Sequence, residues 1–283
     1  MIPNIVHFVY GLEEQEYDFL FVYYLSVLSA KLINNPDKIY FHYTHKPTGK
    51  WWDETEKLVE LNQVECPATL GGKSIVNLAH KADRVRLEVL EDCGGVYFDM
   101  DTVCVSPYKH LLDYSCVMGT EEKKLIRGVH HDPRLCNAVI FAEPNSEFIK
   151  KWIDSADTLF DPDNWLSYAV EGPSILYQDN KDLVHVEQPS SFFSPSWDDI
   201  PSIFLRDKPI PKELITLHLW EAQQRFDRKG LEGFKSPNKN KSSIISQISD
   251  FSWSMAWPET LYGRIMKKIE NLNMNEKTPN KRI

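Results

Sequence analysis

Hydrophobic and polar positions near the start of the chain predict a strand, a helix and a second strand. The apolar run at residues 2–9 ends at Gly11, which is typical of a strand followed by a loop. Residues 17–33 carry apolar side chains at helical spacing, and residues 39–43 alternate as a second strand. Residues 44–53 contain proline and glycine and are predicted as a loop. Elements in this order are typical of an α/β protein.

A longer helical pattern leads into a strand that ends with two aspartates. Ser74 is its predicted N-cap, and Gly94-Gly95 follows it where a left-handed C-terminal cap favours glycine. Val96-Tyr97-Phe98 is predicted as a short buried strand, so Asp99 and Asp101 lie at its carboxyl end. Ligands of open α/β sheets bind beyond the carboxyl ends of the strands. The pattern therefore indicates a ligand site at the two aspartates.

Two charged residues of this helix fall among its apolar positions. At about 100° per residue one face collects the apolar side chains. They are Ile75, Leu78, Ala79, Ala82, Val89, Leu90 and Cys93. Arg86 lies inside this stripe and Asp83 at its edge, so both are predicted to point inward. Because an unpaired buried charge is costly, one interpretation is an Asp83–Arg86 ion pair. The other is that both face a ligand, with Arg86 binding phosphate or sugar hydroxyls and Asp83 accepting from hydroxyls.

The rest of the chain predicts shorter elements and a C-terminal appendage. Residues 116–118 and 138–141 are predicted strands, and 146–156 and 173–178 predicted helices. A polar stretch at 235–243 precedes an amphipathic segment at 244–272. The aromatic and basic residues of 251–268 predict either a helix docked on the protein or a helix in peripheral contact with a membrane.

Composition fits a soluble globular protein that buries a substantial core. The chain has 283 residues, of which 42% are apolar and 26% charged. It lacks an apolar run of about eighteen residues, so no membrane-spanning helix is expected. The N-terminus has no basic leader, which predicts no signal peptide and a cytoplasmic location, with peripheral membrane attachment as the variant. Five cysteines without a Cys-x-x-Cys pair are expected to be free core residues.

The net charge of −9 argues against nucleic acid as a partner, because a nucleic-acid-binding face needs surplus Lys and Arg. An acidic protein binds a diphosphate when a divalent cation lies between its carboxylates and the phosphates. Asp99 and Asp101 supply the oxygen ligands that Mn²⁺ or Mg²⁺ prefers. The sequence thus favours a metal-mediated phosphate ligand.

The residues around the aspartates resemble a known family. The run from Ala82 to Asp101, with Ala-Asp, Arg86 and Gly-Gly-Val-Tyr-Phe-Asp-Met-Asp, looks like the sugar-binding Asp-x-Asp region of glycosyltransferase family 32. That family includes mannosyltransferases and α-1,4-galactosyltransferases, and the run is also similar to the catalytic domains of clostridial glucosylating toxins. Residues 2–11 resemble the family's first strand, and 137–140, 171–173 and 217–220 resemble later segments more loosely.

The resemblance implies a GT-A fold, a Rossmann-like α/β architecture, for a catalytic domain at 1–234. Residues 235–283 would add a polar loop, a helical C-terminal segment and a tail. The implied activity is retaining transfer of a hexose from a UDP-Glc, UDP-Gal or GDP-Man type of nucleotide-sugar donor. The acceptor would be a glycan, lipid-linked in one version, or another hydroxyl. Mn²⁺ or Mg²⁺ is the implied cofactor.

The resemblance also implies site residues. Asp101 and His218 would be the metal ligands, and Asp99, Asp101 and Arg86 the catalytic residues. Trp220 would cover the diphosphate on a mobile closing loop. The implied donor-binding set is His7, Val9, Tyr10, Asp83, Arg86, Asp99, Asn137 and Trp220. Tyr10 departs from the family pattern, since many relatives have Trp there.

Several alternatives stay open. Asp99-Met100-Asp101-Thr102-Val103 also fits a haloacid-dehalogenase phosphatase, with Asp99 as nucleophile, Asp101 as acid/base and Asp198-Asp199 as a late acidic motif. A catalytically silent glycan-binding protein on the same fold is another alternative. Residue by residue, His7 and most other histidines fit structural or surface roles. Trp51 and Trp52 either stack on a ligand or anchor their loop.

Overall fold

The structure is a computed structural model that describes residues 1–122, 124–126, 129–131, 134–197, 199, 211–220 and 261–277. Its strands are β1 (Ile5–Val9), β2 (Lys38–Tyr43), β3 (Glu60–Gln63), β4 (Thr69–Leu70), β5 (Lys73–Ser74), β6 (Gly95–Phe98), β7 (Thr102–Cys104), β8 (Cys116–Thr120), β9 (Lys124–Ile126), β10 (Val129–His131), β11 (Leu135–Ala142), β12 (His185–Glu187) and β13 (Thr216–His218).

The helices are α1 (Phe21–Asn34), α2 (Lys50–Thr55), α3 (Leu78–Cys93), α4 (Glu147–Asp154), α5 (Ala156–Leu159), α6 (Gly172–Asp179), α7 (Pro189–Phe192) and α8 (Leu261–Lys277). Short 3-10 turns cover Glu56–Leu58, Lys109–Leu111 and Lys181–Leu183, and a π-helical turn covers Ser167–Glu171. Among the described residues, every helix is too short or too polar to span a bilayer.

A seven-stranded sheet in the order β12-β8-β11-β6-β1-β2-β3 forms the centre of the molecule. Strands β6, β1, β2 and β3 run parallel, and β11 is antiparallel to both β6 and β8. The order 3-2-1 followed by the next central strand is that of the mononucleotide-binding half of a doubly wound fold. The predicted α/β architecture, with helices added at the C-terminal end, is confirmed.

Apolar cores cover both faces of this sheet. Central strands β6 and β11 are buried along their whole length, because helices or loops pack on each side. Helix α1 packs with α2 and α8 on one face, and α3 packs with α4 on the other. We call these the α1 face and the α3 face.

Several helix boundaries differ from the sequence prediction: α1 begins at Phe21 and not at residue 17, α8 continues to Lys277, and the starts of α2 and α3 are shifted. Ser74 does not cap α3: it pairs with Thr69 in the β4–β5 hairpin, and Asn77 is the cap, its side chain accepting from the amide of Ala79 at 2.9 Å. The loop predicted at 44–53 contains the start of α2, which Trp52 anchors in the α1-face core. The hairpin is a short-range contact that a helix-cap pattern does not take into account, whereas the packing of Trp52 depends on distant segments.

Gly94 and Gly95 form the turn that delivers the chain from α3 into β6. Gly94 ends the helix with φ +62°, and its amide donates to the carbonyl of Leu90. Gly95 has φ +118°, and a Cβ there would lie 2.5 Å from the carbonyl oxygen of Ile5. The prediction that this pair closes α3 is confirmed, and close packing against β1 is a second reason for glycine.

At the C-terminal end, Ile265 and Ile269 of α8 are buried against the α1-face core, and Lys268 Nζ donates to the carbonyl of Val105 at 2.5 Å. This agrees with the docked alternative for that helix. Residues 251–260, the polar stretch at 235–243 and the boundary predicted at 234/235 lie outside the described residues.

The five cysteines are free, as predicted. Cys104, Cys116 and Cys136 are buried, and burial raises the pKa of each thiol. The expectation of core positions is wrong for Cys93, which is exposed at the last position of α3.

Candidate active site

Asp99 and Asp101 lie in the turn between β6 and β7. The amide of Asp99 donates to the carbonyl of Ala138 at 2.9 Å, and the amide of Thr102 donates to the carbonyl of Asp99 at 3.0 Å. Because β6 is central in the sheet, this turn opens at the carboxyl ends of the parallel strands, where α/β proteins bind ligands.

His218 reaches the same turn from the distant strand β13. Strand β13 pairs with β7 so that His218 lies opposite Thr102, and the amide of Leu219 donates to the carbonyl of Asp101 at 3.0 Å. His218 Nε2 is 3.1 Å from Asp101 Oδ1. One ligand atom from each of Asp99, Asp101 and His218 lies within 4.8 Å of the others. The predicted metal ligands are thus brought together, and Asp99 joins them.

The charge of this cluster acts on His218. Burial by itself lowers the pKa of the imidazole, but the carboxylate of Asp101, with a smaller effect from Asp99, outweighs it and raises the pKa above its usual value. A raised histidine pKa marks a site of negative potential. Such a site favours a cation.

Arg86 links the helix α3 to the aspartate turn. Its Nη1 lies 3.0 Å from Asp99 Oδ1 and donates to the carbonyl of Asn137 at 2.8 Å, and its Nη2 lies 3.3 Å from Asp83 Oδ1. Its guanidinium also packs over the ring of Tyr97, 4.4 Å from the ring centre. Burial opposes the charge, yet these carboxylates hold the pKa of Arg86 above its ordinary value.

Asp83 is buried behind Arg86 rather than at the surface of the site. Asn137 Nδ2 donates to Asp83 Oδ1 at 2.7 Å, while Asp83 Oδ2 has no hydrogen-bond partner. Burial raises the pKa of this carboxyl, with Arg86 opposing the shift. The prediction that Asp83 and Arg86 point inward is confirmed, and their ion pair is present.

A cavity of about 690 Å³ opens over the aspartate turn. Most of the predicted site residues line it, namely Val9, Tyr10, Arg86, Asp99, Asp101, Asn137, His218 and Trp220. Its walls come from opposite faces of the sheet: Tyr10, Tyr23 and Trp220 belong to the α1-face core, whereas Ala169 and Val170 lie on the turn beside α3.

Two predicted donor-binding residues do not line this cavity. One is Asp83, described above. The other is His7, which is fully buried with its Nδ1 3.0 Å from His42 Nε2 and its Nε2 2.9 Å from the carbonyl of Gly94. Asn62 Nδ2 lies 2.9 Å from His42 Nδ1 and completes the chain. Burial lowers the pKa of His7 to about 4 and that of His42 to about 3, so both are neutral and hold β1 to the Gly94 turn.

Of the aromatic candidates, Trp220 lines the cavity, whereas Trp51 and Trp52 do not. Trp220 follows β13 with a left-handed φ of +54°, its ring 4.1 Å from that of His218, and its indole Nε1 is buried without a hydrogen-bond partner. Trp51 stacks on Tyr24, and Trp52 packs on Phe41. The loop-anchoring alternative therefore describes the Trp51–Trp52 pair.

Sequence reasoning missed two features of the site. Tyr97 donates its hydroxyl to Asp99 Oδ1 at 2.6 Å. Strand periodicity predicts this proximity, because residues two apart share one face. Trp165, Leu166, Glu121 and Gln15 also line the cavity. They come from irregular segments, for which no sequence periodicity gives a signal.

The fold and this site define a class. Residues 10–118 match the family model of the glycosyltransferase sugar-binding region containing DXD motif, which takes in β6 and both aspartates. Residues 10–118 therefore carry the DXD sugar-binding region of glycosyltransferases, and the resemblance predicted from the sequence is confirmed.

A curated protein is similar over most of this chain. The chain is 36% identical over 203 residues to Glucan organizing enzyme 1 of Cryptococcus neoformans var. grubii serotype A. The match covers 70% of this chain and 55% of the relative, so the chain spans about half the length of the curated protein it matches.

Solved structures of glycosyltransferases are also similar. GlyE of Streptococcus pneumoniae TIGR4 is 14% identical with a TM-score of 0.46, covering 95% of this chain and 63% of that chain. PaToxG Glycosyltransferase is 16% identical with a TM-score of 0.43, covering 64% of this chain and 73% of that chain.

The matched family model is defined by a DXD motif and covers Asp99-Met100-Asp101. This match favours a glycosyltransferase motif over a phosphatase motif. In the structure, Arg86 and Tyr97 both contact Asp99 Oδ1. Of the late acidic pair that the phosphatase alternative uses, Asp198 lies outside the described residues.

Proposed function

We propose that this chain is a metal-dependent, retaining glycosyltransferase that moves a hexose from a UDP- or GDP-sugar to a hydroxyl of a glycan acceptor. One observation carries the proposal: Asp99, Asp101 and His218 converge within 4.8 Å at the floor of a 690 Å³ cavity. The matched DXD family and the name of the relative from Cryptococcus support it.

The residues at this point fit a divalent cation. Two carboxylates and an imidazole form a donor set that suits Mn²⁺, and Mg²⁺ with more water. Asp83, Asp99 and Asp101 outnumber the single guanidinium of Arg86, which leaves negative charge for a cation to neutralise. When bound, the ion would act as a Lewis acid on the diphosphate oxygens while the glycosyl–phosphate bond breaks.

Arg86 acts chiefly as a positioning residue in this proposal. Its N–H groups are directed to the carbonyls of Ala82 and Asn137 and to the carboxylates of Asp83 and Asp99. Together with the hydroxyl of Tyr97, it fixes the orientation of Asp99. Arg86 also lines the cavity, where its positive charge would stabilise the negative charge of the leaving-group phosphate.

The donor nucleoside is assigned to the α1-face end of the cavity. Val9, Tyr10 and Gly11 end β1 there, at the carboxyl edge of the parallel strands. Trp220 lies beside His218 with its indole N–H buried and without a partner, which suits a donor to phosphate or ribose oxygens. The sugar would then lie between Asp99 and Asn137. With retention, the acceptor hydroxyl attacks from the same face as the departing phosphate.

Calorimetry of nucleotide binding tests this function. We expect UDP or GDP to bind wild-type protein in Mn²⁺ or Mg²⁺, and not in EDTA. Asp101→Ala removes a ligand atom, so metal-dependent nucleotide binding and sugar transfer should both be lost. Asp113→Ala is the matched control and should behave as wild type, because Asp113 is an exposed carboxylate that does not line the cavity.

Metal-independent nucleotide binding, or full transfer activity of Asp101→Ala, would contradict the proposed chemistry. Rapid hydrolysis of a simple phosphate ester through a covalent adduct on Asp99 would instead identify a phosphatase. Metal-dependent nucleotide binding without any sugar transfer or donor hydrolysis would identify the silent binding protein.

A further inference from the structure

We infer that Trp165 forms the acceptor subsite of the cavity, a stacking platform for one pyranose ring of a glycan. The inference rests on the proposed function, because it assigns the part of the cavity that the donor leaves free. It names a residue outside the metal cluster and outside the segment that matches the family model.

Trp165 is an exposed aromatic side chain at a cavity mouth. It lines the cavity and is 42% exposed, whereas Trp152, in the α3-face core, is fully buried. Leu78, 40% exposed, lines the same cavity. Exposed apolar side chains grouped at a cleft mark a binding surface. An indole gives a ligand a large, flat and rigid contact area.

The loop that carries Trp165 is fixed on both sides of it by hydrogen bonds. The amide of Leu166 donates to Asn164 Oδ1 at 3.0 Å, and Asn164 Nδ2 donates to Glu171 Oε2 at 2.9 Å. Ser167 Oγ donates to the carbonyl of Asp161 at 3.0 Å. A side chain on a pre-organised loop loses little freedom when a ligand arrives, so this exposure favours recognition over local mobility.

The platform is also tied to the helix that supports the metal site. The carbonyl of Trp165 lies 3.3 Å from Nε2 of His80, which is fully buried on α3 and packs edge-on against Phe160. Arg86 lies on the same helix, less than two turns further along. Trp165 and the Asp99 turn are therefore held by one rigid element, which fixes the position of an acceptor relative to the reacting sugar.

The chemistry of this wall fits a sugar ring. One face of a pyranose is lined by C–H groups that pack on an aromatic ring, and its edge carries hydroxyls that need polar partners. Glu121 and Gln15 line the same cavity and supply a carboxylate and an amide. A nucleobase would also stack on indole, but the carboxyl edge of β1 and the metal ligands place the nucleotide toward Tyr10 and Trp220.

The test is binding of defined oligosaccharides to wild type, Trp165→Ala, Trp165→Phe and Trp197→Ala, in the presence of UDP and Mn²⁺. Binding is screened on a glycan panel and then titrated with the best oligosaccharide by tryptophan fluorescence and calorimetry. Trp197, which is 39% exposed and does not line the cavity, is the matched control.

We expect Trp165→Ala to weaken oligosaccharide binding at least about tenfold, as truncation of an aromatic anchor does. Trp165→Phe should recover part of that loss, and Trp197→Ala should leave binding within about twofold of wild type. Affinity for UDP and Mn²⁺ should be unchanged in all variants. If the proposed function fails because UDP does not bind, the oligosaccharide titration without nucleotide still reports on Trp165.

Three results would overturn the inference. One is unchanged oligosaccharide affinity in Trp165→Ala, and a second is no oligosaccharide binding by wild type across the panel. The third is loss of UDP affinity in Trp165→Ala with sugar binding intact, which would make Trp165 a nucleobase platform. Circular dichroism of the variants shows whether a loss of affinity is a loss of fold.

Discussion

At the residue scale, Arg86 is the side chain on which the charges of the site depend. It is nearly fully buried and lies between Asp83 and Asp99, at 3.3 Å and 3.0 Å. A buried ion pair adds little over an apolar packing, but removing one partner leaves a buried charge without compensation. The function of Arg86 in orienting Asp99 is therefore inseparable from its contribution to stability.

Arg86→Ala should lower the free energy of unfolding by about 3–5 kcal/mol, because two carboxylates lose their buried partner. Arg84→Ala, on the same helix with an exposed i,i+4 pair to Glu88, should cost about 1 kcal/mol or less. Urea unfolding followed by circular dichroism measures both. Equal losses in the two variants would show that the Arg86 pairs are not a stabilising network.

We expect His218 to make cation binding at the proposed site depend on pH. Its pKa is raised in the metal-free protein, so a proton begins to compete with the ion at a higher pH than for an ordinary histidine. Affinity for Mn²⁺ should fall by up to about tenfold per pH unit once the pH drops below that raised pKa. Calorimetry at several pH values, in two buffers of different ionisation enthalpy, should show proton release on Mn²⁺ binding. His218→Gln should abolish this release, and a release that persists there would point to another group.

At the scale of elements, the Gly94-Gly95 turn determines where the two aspartates lie. The turn feeds β6 between β1 and β11, and the chain reaches Asp99 only four residues after Gly95. His7 holds the same turn through the carbonyl of Gly94. The position of the metal cluster is thus set by the contact between α3, β1 and β6.

Gly95→Ala should destabilise the fold by about 3 kcal/mol. Its φ of +118° is unfavourable for an L-residue, and the new Cβ would meet the carbonyl oxygen of Ile5 at 2.5 Å. Gly72→Ala is the matched control, since it also has positive φ, +75°, but nothing lies within 4 Å of its Cβ. It should cost about 1 kcal/mol, from the backbone conformation alone. Thermal unfolding of both variants gives the comparison, and similar losses would rule out the clash.

The elements also show which parts of this site a sequence can predict. Helical periodicity predicts correctly that Arg86 and Asp83 point inward, but the predicted apolar stripe matches the buried face only in part. Leu78 and Cys93 are exposed and Ala79, Ala82 and Val89 are half-buried, whereas His80, Val85 and Leu87 are buried. The N-cap of α3 was wrong because Ser74 pairs in a hairpin, a contact that helix-cap patterns do not weigh. Trp165 could not be found at all, since its loop is defined by Asn and Ser side-chain hydrogen bonds and not by apolar spacing.

At the scale of the whole molecule, the buried pair His7 and His42 makes the stability of the fold depend on pH. Burial lowers their pKa values to about 4 and about 3, whereas both would titrate near 6.5 in the unfolded chain. Below pH 6.5 these two histidines bind protons in the unfolded chain but stay neutral in the folded protein. The free energy of unfolding therefore falls as the pH falls. His218 does not offset this loss, because a raised pKa contributes stability that is lost as the pH rises and not as it falls.

The urea midpoint of the wild type should therefore drop steadily from pH 6.5 to pH 4. The free energy of unfolding should fall by up to about 1.4 kcal/mol per pH unit for each histidine. His42→Gln should be less stable at pH 7 and show a shallower drop. A drop as steep as that of the wild type would assign the acid sensitivity to other groups.

The pairing of β7 with β13 has a consequence for the synthesis of the protein. His218 follows Asp101 by 117 residues, yet the two side chains meet at 3.1 Å. A ribosome releases Asp99 and Asp101 long before it has made β13. A nascent chain that has emerged only as far as β12 therefore offers an ion two carboxylates and no imidazole. The proposed cation site is therefore complete only after β13 has been made.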